Sequence, residues 1–190
     1  VATDWAAIVL AGGSGSRLGG VDKASVVVGD RTLLDHALAA VGGAARVVVV
    51  GPGERDGVVW TREDPPGGGP VAGLAAGLAA LADVDLAAVL AVDQPGVTAS
   101  TVDRLRAAVG DRAGAVLVDA GGRLQWLAGV WRVDVLRAAM PAEPEGASLR
   151  SVLRPLAPVE VPALPGEADD VDTPEDLSTL HKRHTGHAVD

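Results

Sequence analysis

The sequence contains no cysteine, no phenylalanine and no tyrosine, and only four tryptophans among its 190 residues. Without cysteine there is no disulfide framework and no thiolate metal site, and nothing points to an oxidising compartment. With so few rings, the chain is poorly equipped to stack on the bases of single-stranded nucleic acid. Positive charge is scarce too: 16 Lys and Arg stand against 25 Asp and Glu, for a formal net charge of −9. A nucleic-acid surface needs a basic footprint, so no nucleic-acid partner is expected. A phosphate-bearing ligand must be met locally, by backbone N–H groups, a few cations or a metal ion. Long apolar runs are also missing. The Ala/Val/Leu stretches are broken by Asp, Gly or Arg every few residues. The opening run at 6–10 is too short to cross a bilayer and lacks the basic start of a signal peptide. The expectation is a cytoplasmic protein without a membrane partner.

What is present is enough for a core. Hydrophobic residues make up 48% of the chain, and small aliphatic side chains pack well between helices and a sheet. The length suits one domain, expected over 1–180, followed by a loose polar tail at 181–190. Short apolar runs at 6–10, 46–50, 58–61, 86–92, 113–118 and 126–132 predict strands. Helical spacing or composition predicts helices over 32–41, 71–81, 100–109, 133–140 and 147–153. A last helix opens at Asp172 or Thr173, with Pro174 in its first turn. The segment 23–28 reads either way. No internal repeat or linker stands out. Alternating strands and helices predict an α/β protein: a Rossmann-like three-layer αβα sandwich with a mainly parallel sheet. Such folds bind ligands at the carboxyl ends of their strands.

The chemically suggestive residues fall there. The first strand runs into Leu10-Ala11-Gly12-Gly13-Ser14-Gly15-Ser16-Arg17-Leu18-Gly19-Gly20-Val21-Asp22-Lys23. Glycines let a backbone approach a phosphate chain, and successive N–H groups form an anion nest. Arg17 and Lys23 add two cations, suited to a triphosphate whose leaving pyrophosphate gathers charge. The spacing is not that of a Walker A loop, and a G-x-G-x-x-G pattern fails at its third glycine. Asp93 follows the strand at 86–92, where a carboxylate can hold Mg²⁺ against a phosphate; the alternative is a turn-forming Asp before Pro95. Asp170 or Asp172 could complete a metal site, although Asp172 also makes a good helix cap. Asp64 opens the rigid run Pro65-Pro66-Gly67-Gly68-Gly69-Pro70, which suits contact with a base or ribose, or is simply a surface loop. His36 lies on a predicted helix and reads as structural. His181, His184 and His187 share the tail. Trp126 and Trp131 read as core or rim fillers, with a substrate-facing ring as the alternative.

Taken together, these segments resemble the molybdenum cofactor guanylyltransferase family, the MobA-like group of nucleotidyltransferases. The resemblance is carried by Leu10-Ala11-Gly12-Gly13, by Ser16 to Lys23, and by Asp64 with Gly69-Pro70-Val71-Ala72-Gly73-Leu74. Asp93-Gln94-Pro95 and Asp172-Thr173-Pro174-Glu175-Asp176-Leu177 follow in family order. It implies transfer of GMP from GTP to molybdopterin-bound molybdenum, releasing pyrophosphate. By the same resemblance Leu10, Ala11, Gly12, Gly13, Lys23 and Asp64 bind the nucleotide. Asp93 binds GTP and Mg²⁺ and Arg17 contacts the phosphates; Asp172, from its own place in the chain, is the expected second metal carboxylate. The acceptor's phosphate is the nucleophile, so catalysis by Arg17, Lys23 and Asp93 is positioning and charge neutralisation.

Some positions depart from the pattern. Val50-Gly51 stands where many relatives carry Asn. Asp170 and Asp172 replace a frequent Asn pair, which is similar to molybdopterin cytidylyltransferases. Those usually carry Ala where this chain has Gly12, and a Gly there leaves room for a purine, which puts GTP ahead of CTP. The rivals are a cytidylyltransferase for molybdopterin, a guanylyltransferase acting on another phosphorylated acceptor, and a non-catalytic nucleotide-binding module. A dinucleotide-dependent oxidoreductase is disfavoured by the imperfect glycine fingerprint.

Overall fold

A computed structural model describes residues 4–12, 17–18, 21–173, 175, 176 and 178. The strands are β1 (Trp5–Leu10), β2 (Arg17–Leu18), β3 (Val21–Asp22), β4 (Val27–Val28), β5 (Arg31–Thr32) and β6 (Arg46–Val50). They continue with β7 (Val59–Thr61), β8 (Leu86–Ala91), β9 (Gly114–Val118), β10 (Leu124–Arg132) and β11 (Val159–Pro162). The helices are α1 (Leu33–Ala40), α2 (Pro70–Ala80), α3 (Ala99–Val109), α4 (Val133–Ala139) and α5 (Leu149–Leu153).

Seven strands form one sheet in the order β11-β9-β10-β8-β1-β6-β7. All pairs are parallel except those of β10, which runs antiparallel to both neighbours. β1 lies inside the sheet between β8 and β6 and is buried along its whole length. Its side chains alternate between two cores, as strand geometry requires. Trp5, Ala7 and Val9 join α1 and α3 on one face; Ala6, Ile8 and Leu10 join α2, α4 and α5 on the other. The predicted αβα layering is therefore observed. No helix among the described residues is long and apolar enough to cross a membrane.

Local chemistry explains the boundaries. Thr32 and Asp35 form a capping box at the start of α1, and Thr98 and Thr101 form one at α3. Thr173 Oγ1 accepts the Asp176 N–H at 3.2 Å, and the Asp176 carboxylate accepts the Thr173 N–H at 2.8 Å. Thr173, not Asp172, thus caps the last helix and leaves the Asp172 carboxylate for the site. The segment 23–28 is a 3₁₀ turn over Lys23–Ser25 followed by β4. Helix α2 lies tight on the sheet: a Cβ on Gly77 would stand 2.5 Å from Ile8 Cγ2.

Candidate active site

A cleft of about 300 Å³ opens at the carboxyl ends of β1, β6 and β8. Leu10, Ala11 and Gly12 form its floor, and α2 points its N-terminus at it through Gly69 and Pro70. Gly69 caps that helix without a side-chain hydrogen bond. The positive end of the helix is thus left for an anion. Gly12 approaches the end of β6 closely, and a Cβ there would lie 3.1 Å from Gly51 Cα. The glycine answers to the meeting of these two loops, and its missing side chain would point at Gly51.

Lys23 is the electrostatic centre. Asp22 caps the 3₁₀ turn, accepting the Ala24 N–H at 3.3 Å, and this turn carries Lys23 inward. The residue is only 6% exposed. Its Nζ donates to Asp172 Oδ1 at 2.6 Å and stands 3.6 Å from Asp93 Oδ2. Asp93 reaches it from the end of β8. The returning segment that bears Asp172 is pinned there by the Val171 N–H donating to the Asp93 carbonyl at 2.8 Å. Burial raises the Asp93 carboxyl above its usual range; Lys23 opposes this, and Asp170 and Asp172 reinforce it. Asp170 is also raised, first by burial, with the Gln94 amide opposing and Asp172 adding. Like charges crowded in low dielectric give this pattern.

Behind the carboxylates lies a chain of amides that sequence patterns do not reveal. Gln94 Nε2 donates to Asp170 Oδ1 at 2.9 Å and to Gln125 Oε1 at 3.0 Å. Gln125 Nε2 donates in turn to Asp119 Oδ2 at 3.1 Å. Gln94 and Gln125 are buried. In the sequence Gln94 is only the middle of Asp93-Gln94-Pro95. Gln125 lies 31 positions away and carries no local signal.

The other expected residues fall as follows. Leu10, Ala11, Gly12, Lys23, Asp93 and Asp172 line one cleft. Asp64 is exposed and is not among its lining residues; the neighbouring Glu63 is, and its Oε1 accepts the Gly67 N–H at 3.1 Å. Gly13, the Arg17 side chain, His181, His184 and His187 lie outside the described residues. His36 Nε2 lies 3.0 Å from the Val28 carbonyl, a packing contact away from the cleft. Trp131 is fully buried in the core, and Trp126 lines a separate groove. Among the described residues no group of three His, Cys, Asp or Glu side chains is placed to hold a metal ion. Asp93 and Asp172 are a pair, sharing one ammonium.

Residues 7–161 match the model of the MobA-like NTP transferase domain. The chain belongs to this family of nucleotidyltransferases. Over 80 residues it is 42% identical to a molybdenum cofactor guanylyltransferase of Acidiphilium cryptum (strain JF-5). That match covers 38% of this chain and 40% of the relative, so the alignment spans well under half of either protein. The fold is similar to that of 2-C-methyl-D-erythritol 4-phosphate cytidylyltransferase from Thermus thermophilus, with a TM-score of 0.73 and 22% identity over 94% of this chain and 98% of that one. It is also similar to molybdopterin-guanine dinucleotide biosynthesis protein A from Archaeoglobus fulgidus, with a TM-score of 0.69 and 17% identity over 96% and 99%. At such identities the likeness concerns the fold.

Proposed function

We propose that this nucleotidyltransferase moves GMP from GTP to the phosphate of a molybdopterin-type acceptor and releases pyrophosphate. The observation that carries the reading is the buried Lys23, held between Asp93 and Asp172 at the mouth of the strand ends. An acceptor phosphate oxygen attacks the α-phosphorus, a new P–O bond forms, and the bond to pyrophosphate breaks. Lys23 places positive charge where the triphosphate must lie, and Arg17 is assigned the same task. The N-terminus of α2 adds its dipole, and the backbone at Leu10 to Gly13 is assigned to the nucleoside; Asp64, expected to join it, stands outside the cleft lining, where Glu63 takes its place. No protein nucleophile takes part, so rate comes from alignment and from neutralising charge.

The donor set fits Mg²⁺, which is bound by one or two carboxylates together with substrate phosphate oxygens. Asp93 and Asp172 would supply those carboxylates. When bound, the ion would polarise the phosphoryl oxygens and neutralise the leaving group. Without substrate, Lys23 balances part of that negative charge.

The guanylyltransferase relative, matched over 80 residues, supports reading GTP ahead of CTP. The Gly12 argument for a purine weakens, because the missing Cβ would face Gly51 and not the open cleft. The Asp170 and Asp172 pair keeps a cytidylyltransferase in view, with Asp170 held by the Gln94 amide.

A thermal-shift titration with GTP, CTP, ATP and UTP, each with and without Mg²⁺, separates these readings, since a ligand bound to the folded state raises the melting temperature. A Mg²⁺-dependent shift selective for GTP supports the proposal, and molybdopterin is then the acceptor to supply. Selectivity for CTP transfers the assignment to the cytidylyl branch. No shift with any nucleotide overturns the substrate assignment.

A further inference from the structure

Asp93 and Asp172 lie within ion-pair distance of Lys23 Nζ, and among the described residues no third carboxylate does. Asp170 is the neighbour left out. It lies two residues before Asp172 on the same returning segment. Burial and Asp172 raise its carboxyl, while the Gln94 amide, Arg123 and Lys23 pull it down, so the ammonium is close enough to act on it.

The Gln94 amide holds Asp170 aside. Its Nε2 carries two hydrogens: one goes to Asp170 Oδ1 at 2.9 Å, the other to Gln125 Oε1 at 3.0 Å. Gln125 has only its carbonyl to offer, because its Nε2 donates to Asp119 Oδ2 at 3.1 Å and to the Arg123 carbonyl at 3.4 Å. Asp119 is itself fixed, accepting the N–H groups of Gly121 and Arg123 at 2.9 Å each. An ionised carboxylate only accepts, so Asp119 at one end and Asp170 at the other dictate how both amides point. This orientation leaves Gln94 Oε1 buried with no partner among the described residues. A buried orphan acceptor costs about 1–3 kcal/mol, so the amide pair is not an arrangement for stability alone.

An ammonium has three N–H bonds. Asp172 takes one at 2.6 Å and Asp93 faces another at 3.6 Å, which leaves a third. Asp170, once released, is the carboxylate that would take it. We propose that Gln94 and Gln125 are positioning residues that keep Asp170 from Lys23 and so reserve the third N–H of Lys23 for a substrate phosphate. The inference rests on the reading of the cleft as a triphosphate site, and neither glutamine is assigned a contact with substrate.

Calorimetric titration with inorganic triphosphate at a fixed Mg²⁺ concentration reads that subsite whatever the base. Gln94→Met keeps the length of the side chain and removes the amide. It should weaken triphosphate binding roughly tenfold, the scale of one hydrogen bond to a charged group. Gln125→Met should act in the same direction and less strongly. Asp170→Asn removes the competing charge and separates positioning from packing. In that background Q94M should cost little or nothing, the non-additivity of residues that act through one another. A packing defect would cost the same in both backgrounds. The inference is overturned if Q94M binds as wild type does, or if it loses as much affinity in the D170N background as in wild type. Should Q94M not fold, Q125M and Q125M/D170N make the same comparison. A wild-type protein that binds no triphosphate would overturn the reading of the cleft itself, and this inference with it.

Discussion

Arg104 grips Glu167 with both terminal nitrogens, at 2.7 and 3.0 Å, across 63 positions of sequence. Thr101 Oγ1 adds a third contact at 2.6 Å and the Leu164 N–H a fourth at 2.7 Å. This joint ties the returning segment to α3 just before it delivers Asp170 and Asp172 to the cleft. A bidentate guanidinium–carboxylate pair with further donors is the strong form of such a contact.

Glu167→Ala should therefore lower stability by about 2 kcal/mol, since it leaves donors of Arg104, Thr101 and Leu164 without their acceptor. It should also lower turnover through Asp172, which chemical denaturation and steady-state assays would show together. Burial on its own would raise the Glu167 carboxyl, but Arg104, Thr101 and the Leu164 N–H outweigh it and hold it below the usual range. Its contribution is thus present above the ordinary glutamate pKa and lost as pH falls through the lowered value. A variant as acid-sensitive as wild type would show that this joint is not responsible.

Asp93 has the opposite sign. Its carboxyl is raised by burial against the pull of Lys23, so its contribution to stability is present below the ordinary aspartate pKa and lost as pH rises through the raised value. Asp93→Asn is expected to melt at or above the wild-type temperature at neutral pH. It should nonetheless lose about 10²-fold or more in Mg²⁺-dependent turnover, the scale of removing one group that stabilises transition-state charge. Wild-type turnover in this variant would move the metal assignment elsewhere.

Lys23→Ala should weaken NTP binding by about tenfold or more, measured calorimetrically, because a charge-assisted contact to phosphate is lost. The two carboxylates would then face each other without a cation. Unchanged NTP affinity would mean that Lys23 serves only Asp93 and Asp172.

Gly77→Ala tests the packing of α2. The new methyl would be driven to 2.5 Å from Ile8 Cγ2 on β1. Overpacking of this kind costs about 1–3 kcal/mol, despite the better helix propensity of alanine. A melting temperature at or above that of wild type would show that the helix shifts freely on the sheet.

Much of the fold is legible in the sequence. The runs at 6–10, 46–50 and 86–92 are uninterrupted and aliphatic because those strands are covered on both faces by helices. The helix starts are legible where a hydroxyl sits three residues before its partner, as at Thr32 and Thr98. β11 is not legible: Val159-Glu160-Val161-Pro162 is short, ends in proline, and becomes a strand only by pairing with β9 at the sheet edge. Glu63 and Asp64 also look interchangeable in sequence, and only the turn of the chain after β7 decides that Glu63 lines the cleft.

Local periodicity, glycine content and charge are enough to make this an α/β protein with a glycine-rich loop after its first strand, and to stand Lys23 and Asp93 beside strand ends. Those features are written within a few neighbouring residues each. The meeting of Lys23 with Asp172, 149 positions away, and the amides of Gln94 and Gln125 behind Asp170 come from the folded chain alone. So does the gathering of Arg112, Arg123, Arg150 and Arg154 around one groove. Contacts at such separations are set by the order of strands in the sheet and by where the last segment returns, and no local pattern in the chain encodes either.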